Sequence, residues 1–252
     1  MSPNFKNFAA VILAAGQGKR LGAADMPKVM TPLGGQPMVS YVVEILKKIG
    51  LTLEQFYLVV GFKKEKIKEY FGDIVSYADQ DEQKGTAHAA YIGSMSLPNK
   101  FDNLLVMNGD DSAFFKPETL RDFMEQHQKS GAVVSLLSVE LERPEQYGRV
   151  VRREDGRPII VEKEDLTEEQ KEIRETSTGA YCFKRAWLEE IFPEMRPLKG
   201  LKEYGINTTF EVAARRGDLA QVIKLKNNEE WFGINTKEEL NEANERMSNL
   251  KS

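Results

Sequence analysis

Short apolar runs alternate with helix-period segments over the first 140 residues of this 252-residue chain. Phe8–Ala14, Phe56–Gly61, Ile74–Ala78, Leu104–Asn108 and Ala132–Leu141 read as strands. Pro37–Ile49, Lys64–Phe71, Thr86–Met95 and Pro117–Lys129 read as helices. Strand-helix alternation of this kind predicts βαβ units and a mainly parallel sheet. Pro37 and Pro117 are expected at first helical positions, where a missing N–H costs nothing. A chain this long can bury roughly three quarters of its unfolded surface, so it needs no staples.

The pattern changes after residue 140. Tyr147–Arg153 and Arg157–Lys163 flank Glu154-Asp155-Gly156 and read as a hairpin. Glu162–Glu175 carries ten charges in fourteen residues. Thr167 and Gln170 fit a capping box inside it, so a solvated helix start is expected. Thr178–Phe183 and Leu219–Lys226 read as strands, and Arg185–Phe192, Thr208–Arg216 and Thr236–Met247 as helices. Met195–Gly205 is irregular, and no linker composition splits the chain. One domain is expected: a nucleotide-binding half over about 8–140, a second half over about 141–235 whose hairpin and loops shape another pocket, and a C-terminal helix and tail over 236–252.

Charge and cysteine content narrow the function classes. Lys and Arg total 35 against 39 Asp and Glu, a net charge of −4, which argues against bulk nucleic-acid or anionic-membrane binding. Any phosphate site must be a local cluster of donors. Cys182 is the single cysteine and has no internal partner, which fits a reducing compartment. The longest apolar run, Phe8–Ala15, is eight residues, far short of the ~20 a membrane helix needs. It ends in Ala14-Ala15-Gly16, which superficially suggests signal-peptide cleavage, but its charge and length fit a buried strand better. A cytoplasmic protein is expected.

The richest chemistry follows that first strand: Leu13-Ala14-Ala15-Gly16-Gln17-Gly18-Lys19-Arg20-Leu21, then Pro27-Lys28. Gly16 and Gly18 let the backbone turn and bring N–H groups against an anion. Ligands of open α/β sheets bind at the carboxyl ends of strands. Lys19, Arg20 and Lys28 beside such a loop make a credible triphosphate cradle. No P-loop motif is present, and a dinucleotide fingerprint would need glycine where Leu21 stands. The bland alternative is a basic surface turn.

This loop, with its Pro-Lys, resembles the signature of sugar-1-phosphate nucleotidyltransferases. Further matches run in order: Gln80-x-x-x-x-Gly85-Thr86-Ala87-His88-Ala89, Gly109-Asp110, Tyr147-Gly148-Arg149, Ile160-Val161-Glu162, Thr178-Gly179 and Gly233-Ile234-Asn235. The set, spanning about Ala9 to Glu245, is similar to the uridylyltransferase domain of bacterial bifunctional N-acetylglucosamine-1-phosphate uridyltransferases. The resemblance implies a single Rossmann-like α/β domain, its mixed, mainly parallel sheet flanked by helices. It implies UTP and a sugar-1-phosphate as substrates and Mg²⁺ as cofactor. The acceptor would be N-acetylglucosamine-1-phosphate or a related hexose-1-phosphate. Such a transfer needs no Ser, Cys or His nucleophile, because a phosphate monoester with a second pKa of ~6 is already mostly ionised. The site must hold two anions in line and neutralise developing charge.

Residue by residue, the resemblance assigns Asp110 and Asn235 to the metal. Asp110 ends a strand, and Asp111 is the alternative ligand; Asn235 alone would read as a helix N-cap. Arg20, Lys28 and Asp110 would carry catalysis. Ala14, Ala15, Gly16, Gly18, Arg20, Lys28, Gln80, Gly85, Thr86 and Gly109 would line the nucleotide. Gln80 offers one donor and one acceptor to the imide edge of uracil, an edge thymine shares; its bland reading is an exposed loop amide. Asn108, Gly148, Glu162, Ser177 and Thr178 would line the sugar, with Glu162 otherwise part of the charged run. His88 reads as a packing histidine, His127 as a solvated one, and Trp187 and Trp231 as core.

Three departures from the family pattern fall mostly on the sugar side. Its N-T-G reads Ser177-Thr178-Gly179, and its Y-x-T-D loop reads Tyr204-Gly205-Ile206-Asn207-Thr208 without the acid. Asp111-Ser112-Ala113 replaces the small apolar and proline residues after Gly109-Asp110. Lost or altered hydrogen bonds in a polar pocket can shift selectivity strongly. Thymidylyl or guanylyl transfer, and a nucleotide-sugar sensor without turnover, are the rivals. A dinucleotide oxidoreductase is disfavoured by Leu21 and the cations. The polar tail shows no hexapeptide repeats, so acetyl-CoA chemistry is not expected.

Overall fold

The computed structural model describes residues 5–18, 21, 25–198 and 202–251. In chain order the elements are β1 (Phe8–Ala14), β2 (Pro32–Leu33), β3 (Gln36–Pro37), α1 (Met38–Ile49), β4 (Phe56–Val60), α2 (Lys64–Phe71), β5 (Ser76–Asp79), α3 (Thr86–Ser96), β6 (Asn103–Asn108), α4 (Pro117–Ser130) and β7 (Val134–Glu140). The second half adds β8 (Arg149–Arg152), β9 (Pro158–Val161), α5 (Glu168–Lys171), β10 (Glu175–Lys184), α6 (Arg185–Ile191), α7 (Thr208–Arg216), β11 (Ala220–Lys224) and α8 (Lys237–Lys251).

Seven strands form one sheet in the order β11-β7-β10-β6-β1-β4-β5. β1 runs parallel to β4 and β6, β4 to β5, and β7 to β11. β10 is antiparallel to both of its neighbours, β6 and β7. This is the mixed, mainly parallel sheet expected. The late strand β10 is wedged between two early strands, so the two halves of the chain share one sheet.

All seven residues of β1 are buried, as a central strand covered on both faces requires. Side chains alternate between faces. Phe8, Ala10, Ile12 and Ala14 pack with Val42 and Leu46 of α1 and Phe123 of α4. Ala9, Val11 and Leu13 pack with Ala87 and Ala90 of α3 and Leu188 of α6. Each fully buried Phe or Leu contributes roughly 1.5–3 kcal/mol relative to exposure. Trp187 and Trp231 lie in these cores as expected, and the Cys182 thiol is buried. Among the described residues no helix is long and apolar enough to cross a membrane.

The hairpin after residue 146 forms as β8 paired with β9. The charged run condenses into a single helical turn, α5, with the expected capping box: Thr167 Oγ1 accepts from the Gln170 N–H and Gln170 Oε1 from the Thr167 N–H. Pro117 opens α4 at its first turn. Pro37 is a correction: it ends β3 with ψ 140°, outside the helix, because a two-residue hairpin precedes α1.

His127 is a second correction. Leu120, Phe123, Met124 and His127 are all buried on one face of α4, the i, i+3, i+4, i+7 spacing of a core stripe. The His127 ring is fully buried, 2.8 Å from Ser135 Oγ through Nδ1 and edge-on to Phe8. Desolvation first, and the Lys184 charge second, hold it neutral, down at about 4. Below an unfolded value of about 6.5 the unfolded chain therefore binds a proton the native chain refuses. Stability is full at neutral pH and falls as pH drops from 6.5 towards 4. Full expression of the gap is worth about 3 kcal/mol. Urea unfolding across this range should show that loss in the parent and a shallower slope in His127→Gln; equal slopes would refute the assignment.

Candidate active site

At the carboxyl end of β1 the chain turns through Gly16 and Gly18. Gly18 has φ +66°, and a Cβ there would stand 2.7 Å from Lys28 Cβ, so only glycine lets the loop fold against Lys28. The Leu21 N–H donates to Gly18 O (3.0 Å) and the Lys28 N–H to Gly16 O (3.2 Å), which closes the loop. Gly16 carries no such demand: its φ is not left-handed, and the space where a Cβ would sit is open. Lys19 and Arg20 lie outside the described residues.

Lys28 opens a short 3-10 turn, and its ammonium is the hub of the site. Nζ lies 2.5 Å from Asp110 Oδ2 and donates to Asn235 Oδ1 at 2.9 Å. The two residues assigned to the metal, 125 positions apart in sequence, thus converge on one cationic point. Asp110 is carried there by β6. The Gly109 N–H donates to Leu13 O at 3.0 Å, and a Cβ on Gly109 would press on that carbonyl at the same distance, so β6 ends tight against β1.

Asn235 is not the helix cap. Thr236 takes that role: its Oγ1 accepts from the Glu239 N–H (3.2 Å), while Glu239 Oε2 accepts from the N–H groups of Asn235 (2.6 Å) and Thr236 (2.9 Å). The Thr236-x-x-Glu239 spacing is itself a capping box. With both jobs assigned, the Asn235 side chain is free to face Lys28.

Asp111 points elsewhere. Its carboxylate accepts from Asn108 Nδ2 (3.1 Å) and Ser112 Oγ (3.3 Å). Burial, followed by the charge of Asp110, pushes it up to about 7.

On the nucleotide side, Gln80 is 3% exposed, a correction to the exposed loop amide. Its Nε2 donates to Gly85 O (3.2 Å) and lies 3.0 Å from His88 Nδ1. Only a nitrogen can face the Gly85 carbonyl, so His88 Nδ1 is the acceptor and its ring proton sits on Nε2. Burial, then Lys84, lowers the His88 pKa, which favours that neutral ring. His88 also stacks on Phe192, as a packing histidine should. Both amide hydrogens of Gln80 are therefore committed, and Oε1 is the group left for a ligand. Gln83, absent from the sequence reading, ties this turn to the loop after β1 by donating from Nε2 to Ala15 O at 2.7 Å. Gly85, at φ +94°, lies against the Tyr204 backbone, and Thr86 Oγ1 accepts from the Ile206 N–H (2.9 Å).

Among the residues that the sequence assigns to the sugar, Glu162 Oε1 accepts from Asn207 Nδ2 at 2.9 Å. Asn108 reaches a bulge in β10, where a Cβ on Gly179 (φ +77°) would collide with its Nδ2 at 2.2 Å. Ser177 lies on the same bulge. The expectation for Thr178 is corrected: it is fully buried, its hydroxyl donates to Leu137 O at 2.6 Å, and its carbonyl accepts from Trp231 Nε1 at 2.8 Å. Alternation along β10 turns it into the core. Gly148 makes its close approach to β9, where a Cβ would stand 2.6 Å from Val161 O.

Asp110 and Asn235 supply a carboxylate and an amide oxygen, hard donors that suit Mg²⁺. Among the described residues no cluster of three or more His, Cys, Asp or Glu could hold a metal, so a cation here would complete its shell with phosphate oxygens and water.

A family model described as nucleotidyl transferase matches residues 9–249. The bifunctional protein GlmU of Heliobacterium modesticaldum is 35% identical over 235 residues, 93% of this chain and 50% of that protein. The chain spans about half the length of the curated relatives it matches. A chain assigned as a glucose-1-phosphate thymidylyltransferase from Bacillus anthracis, solved with a sucrose, superimposes with a TM-score of 0.77 at 22% identity, covering 95% of this chain and 94% of that one. UDP-glucose pyrophosphorylase complexed with UDP-glucose gives 0.76 at 22% identity, covering 96% and 98%. At that identity the two structures share the fold alone.

Proposed function

Because the chain belongs to the nucleotidyl transferase family, we propose that it makes a UDP-sugar and pyrophosphate from UTP and a sugar-1-phosphate, with N-acetylglucosamine-1-phosphate or a related hexose-1-phosphate as acceptor. The observation that carries this reading is the convergence of Asp110 and Asn235 on the Lys28 ammonium, beside the glycine loop at the end of β1.

In the reaction an oxygen of the sugar-1-phosphate attacks the α-phosphorus of UTP. The bond from that phosphorus to the β-bridging oxygen breaks, and pyrophosphate leaves. The attacking phosphate is already ionised, so no side chain need remove a proton. Mg²⁺, held by Asp110 and Asn235, would neutralise charge on the phosphates. The open backbone at Gly16 and the N–H groups after β1 would cradle the triphosphate, with Arg20 and Lys28 as its cationic donors. Residues 8–140 would serve mainly the nucleotide and 141–235 the sugar. Such substrates fit a cytoplasmic enzyme.

Gln80 supports the choice of base. With its hydrogens spent on Gly85 and His88, its free oxygen would accept an N–H from the base. The imide N–H of uracil fits; ring N3 of cytosine, an acceptor, does not. Thymine carries the same imide, so thymidylyl transfer is the reading's nearest rival, and Gln80 does not separate them.

Pyrophosphate release should be followed with UTP, dTTP, CTP and GTP against a panel of sugar-1-phosphates in Mg²⁺. Release with UTP and a hexose-1-phosphate is expected. No release with any pair from folded protein would defeat the proposal. Binding of UDP-sugar without release, unchanged in Asp110→Ala, would instead favour a sensor. In Gln80→Ala the preference for UTP over CTP should shrink about tenfold, the worth of one buried hydrogen bond, with UTP against dTTP unchanged.

A further inference from the structure

Two of the departures from the family pattern meet in one hydrogen-bond chain. The Gly179 N–H donates to Ser177 Oγ (3.1 Å), and Ser177 Oγ lies 2.8 Å from the Tyr181 hydroxyl. The Tyr181 O–H donates to Asn207 Oδ1 (2.5 Å), and Asn207 Nδ2 donates to Glu162 Oε1 (2.9 Å). Glu162 is a carboxylate and can only accept, so the amide must present nitrogen to it and oxygen to Tyr181. The tyrosine proton is then committed to Asn207, and Ser177 must be the donor to Tyr181. Every link runs one way, from the bulge in β10 to Glu162. Tyr181 is itself buried, so the chain is anchored in the core. The residue before Asn207 ties this segment to the start of α3, through the Ile206 N–H donating to Thr86 Oγ1.

We infer that Asn207 is a positioning residue for the acceptor: it holds Glu162 in a single orientation, with Ser177 and Tyr181 fixing the sense of the Asn207 amide. This deepens the nucleotidyl-transfer reading and rests on it. An acid at position 207 would face Glu162 carboxylate to carboxylate. The amide at 207 and the hydroxyl at 177 are a matched pair rather than two losses. Glu162 Oε1 is occupied, and Oε2 has no protein partner among the described residues. The acceptor is accordingly read through a fixed carboxylate oxygen, which selects a sugar presenting hydroxyl or N–H donors at that point.

The test is N207D beside Y181F, each compared with the parent from pH 6 to 9. Steady-state kinetics would separate the acceptor KM from the UTP KM, and calorimetry would measure UDP-sugar binding. In N207D two carboxylates compete at hydrogen-bond distance, so one holds a proton only at the acid end. The acceptor KM should stay near the parent value at pH 6 and rise about tenfold by pH 9, with the UTP KM unmoved. Sign and cause agree: the shared proton replaces the amide N–H, and losing it lets the like charges push Glu162 away. The titratable groups facing this chain are Glu162, Tyr181 and Asp111. Asp111 titrates in parent and variant alike, so the difference between their profiles is the signal. Y181F frees the Asn207 amide to flip and should raise the acceptor KM several-fold without a pH trend. Equal acceptor KM and UDP-sugar affinity in parent and both variants at every pH would overturn the inference alone. A parent protein that neither binds UDP-sugar nor releases pyrophosphate would overturn the functional reading, and this inference with it.

Discussion

Asp110→Asn should lower kcat/KM for pyrophosphate release about a thousandfold, a loss of ~4 kcal/mol of transition-state stabilisation. The substitution keeps volume and one oxygen but removes the charge. A neutral amide is a weak ligand for Mg²⁺, and it leaves the Lys28 ammonium without its anion in a site where the two side chains are only 15% and 20% exposed. The amide oxygen can still accept the lysine hydrogen bond, so the fold should survive. An unfolding midpoint within a few degrees of the parent corresponds to about 1 kcal/mol for a chain of this size. Asp111→Asn is the control. Its carboxylate is turned to Asn108 and Ser112 rather than to Lys28, so activity should stay within about tenfold of the parent. If the two variants exchanged these outcomes, the metal would belong to Asp111 and the convergence on Lys28 would be incidental.

How far the sequence alone reaches differs between sheet and site. Local pattern suffices for β1, α2 and α7, whose bounds match those read from apolar runs and helix period. It reads Thr178–Phe183 as a strand but not the place of β10 in the sheet, because insertion between β6 and β7 is a non-local pairing no window of sequence displays. The stripe that buries His127 was present in the spacing from Leu120, but a charged, polar helix hid it. At the site, the ordered motifs name Asp110, Asn235 and Lys28, and folding brings all three together. Which side chain is spent internally is not legible. Thr178 carries a motif match yet faces the core, and Gln80 loses its donors to Gly85 and His88. Asn235 could be read as cap or ligand until the Thr236–Glu239 box took the first role. Such choices depend on which partner the fold brings within hydrogen-bond reach, near in sequence for Gln80 and distant for Thr178.

Lys28→Met should separate two jobs that the lysine holds at once. Its ammonium occupies the point between Asp110 Oδ2 and Asn235 Oδ1, at 2.5 and 2.9 Å. A divalent cation held by the same two oxygens would compete with the ammonium for that point, so Lys28 would have to swing aside to admit it. The anion then offered to it is substrate phosphate. Methionine removes the competitor and the like charge but keeps the apolar stem that packs against Gly18. Calorimetric titration of the nucleotide-free variant with Mn²⁺ should therefore show binding at least as tight as in the parent. Turnover should nonetheless fall about a hundredfold, or ~2.7 kcal/mol, because a donor to the developing charge is gone. Metal affinity and turnover moving in opposite directions is the mark of a lysine that guards the metal site and serves the phosphates. If both fell together, Lys28 would be a scaffold for Asp110 and Asn235, and its place among the phosphate donors would be lost.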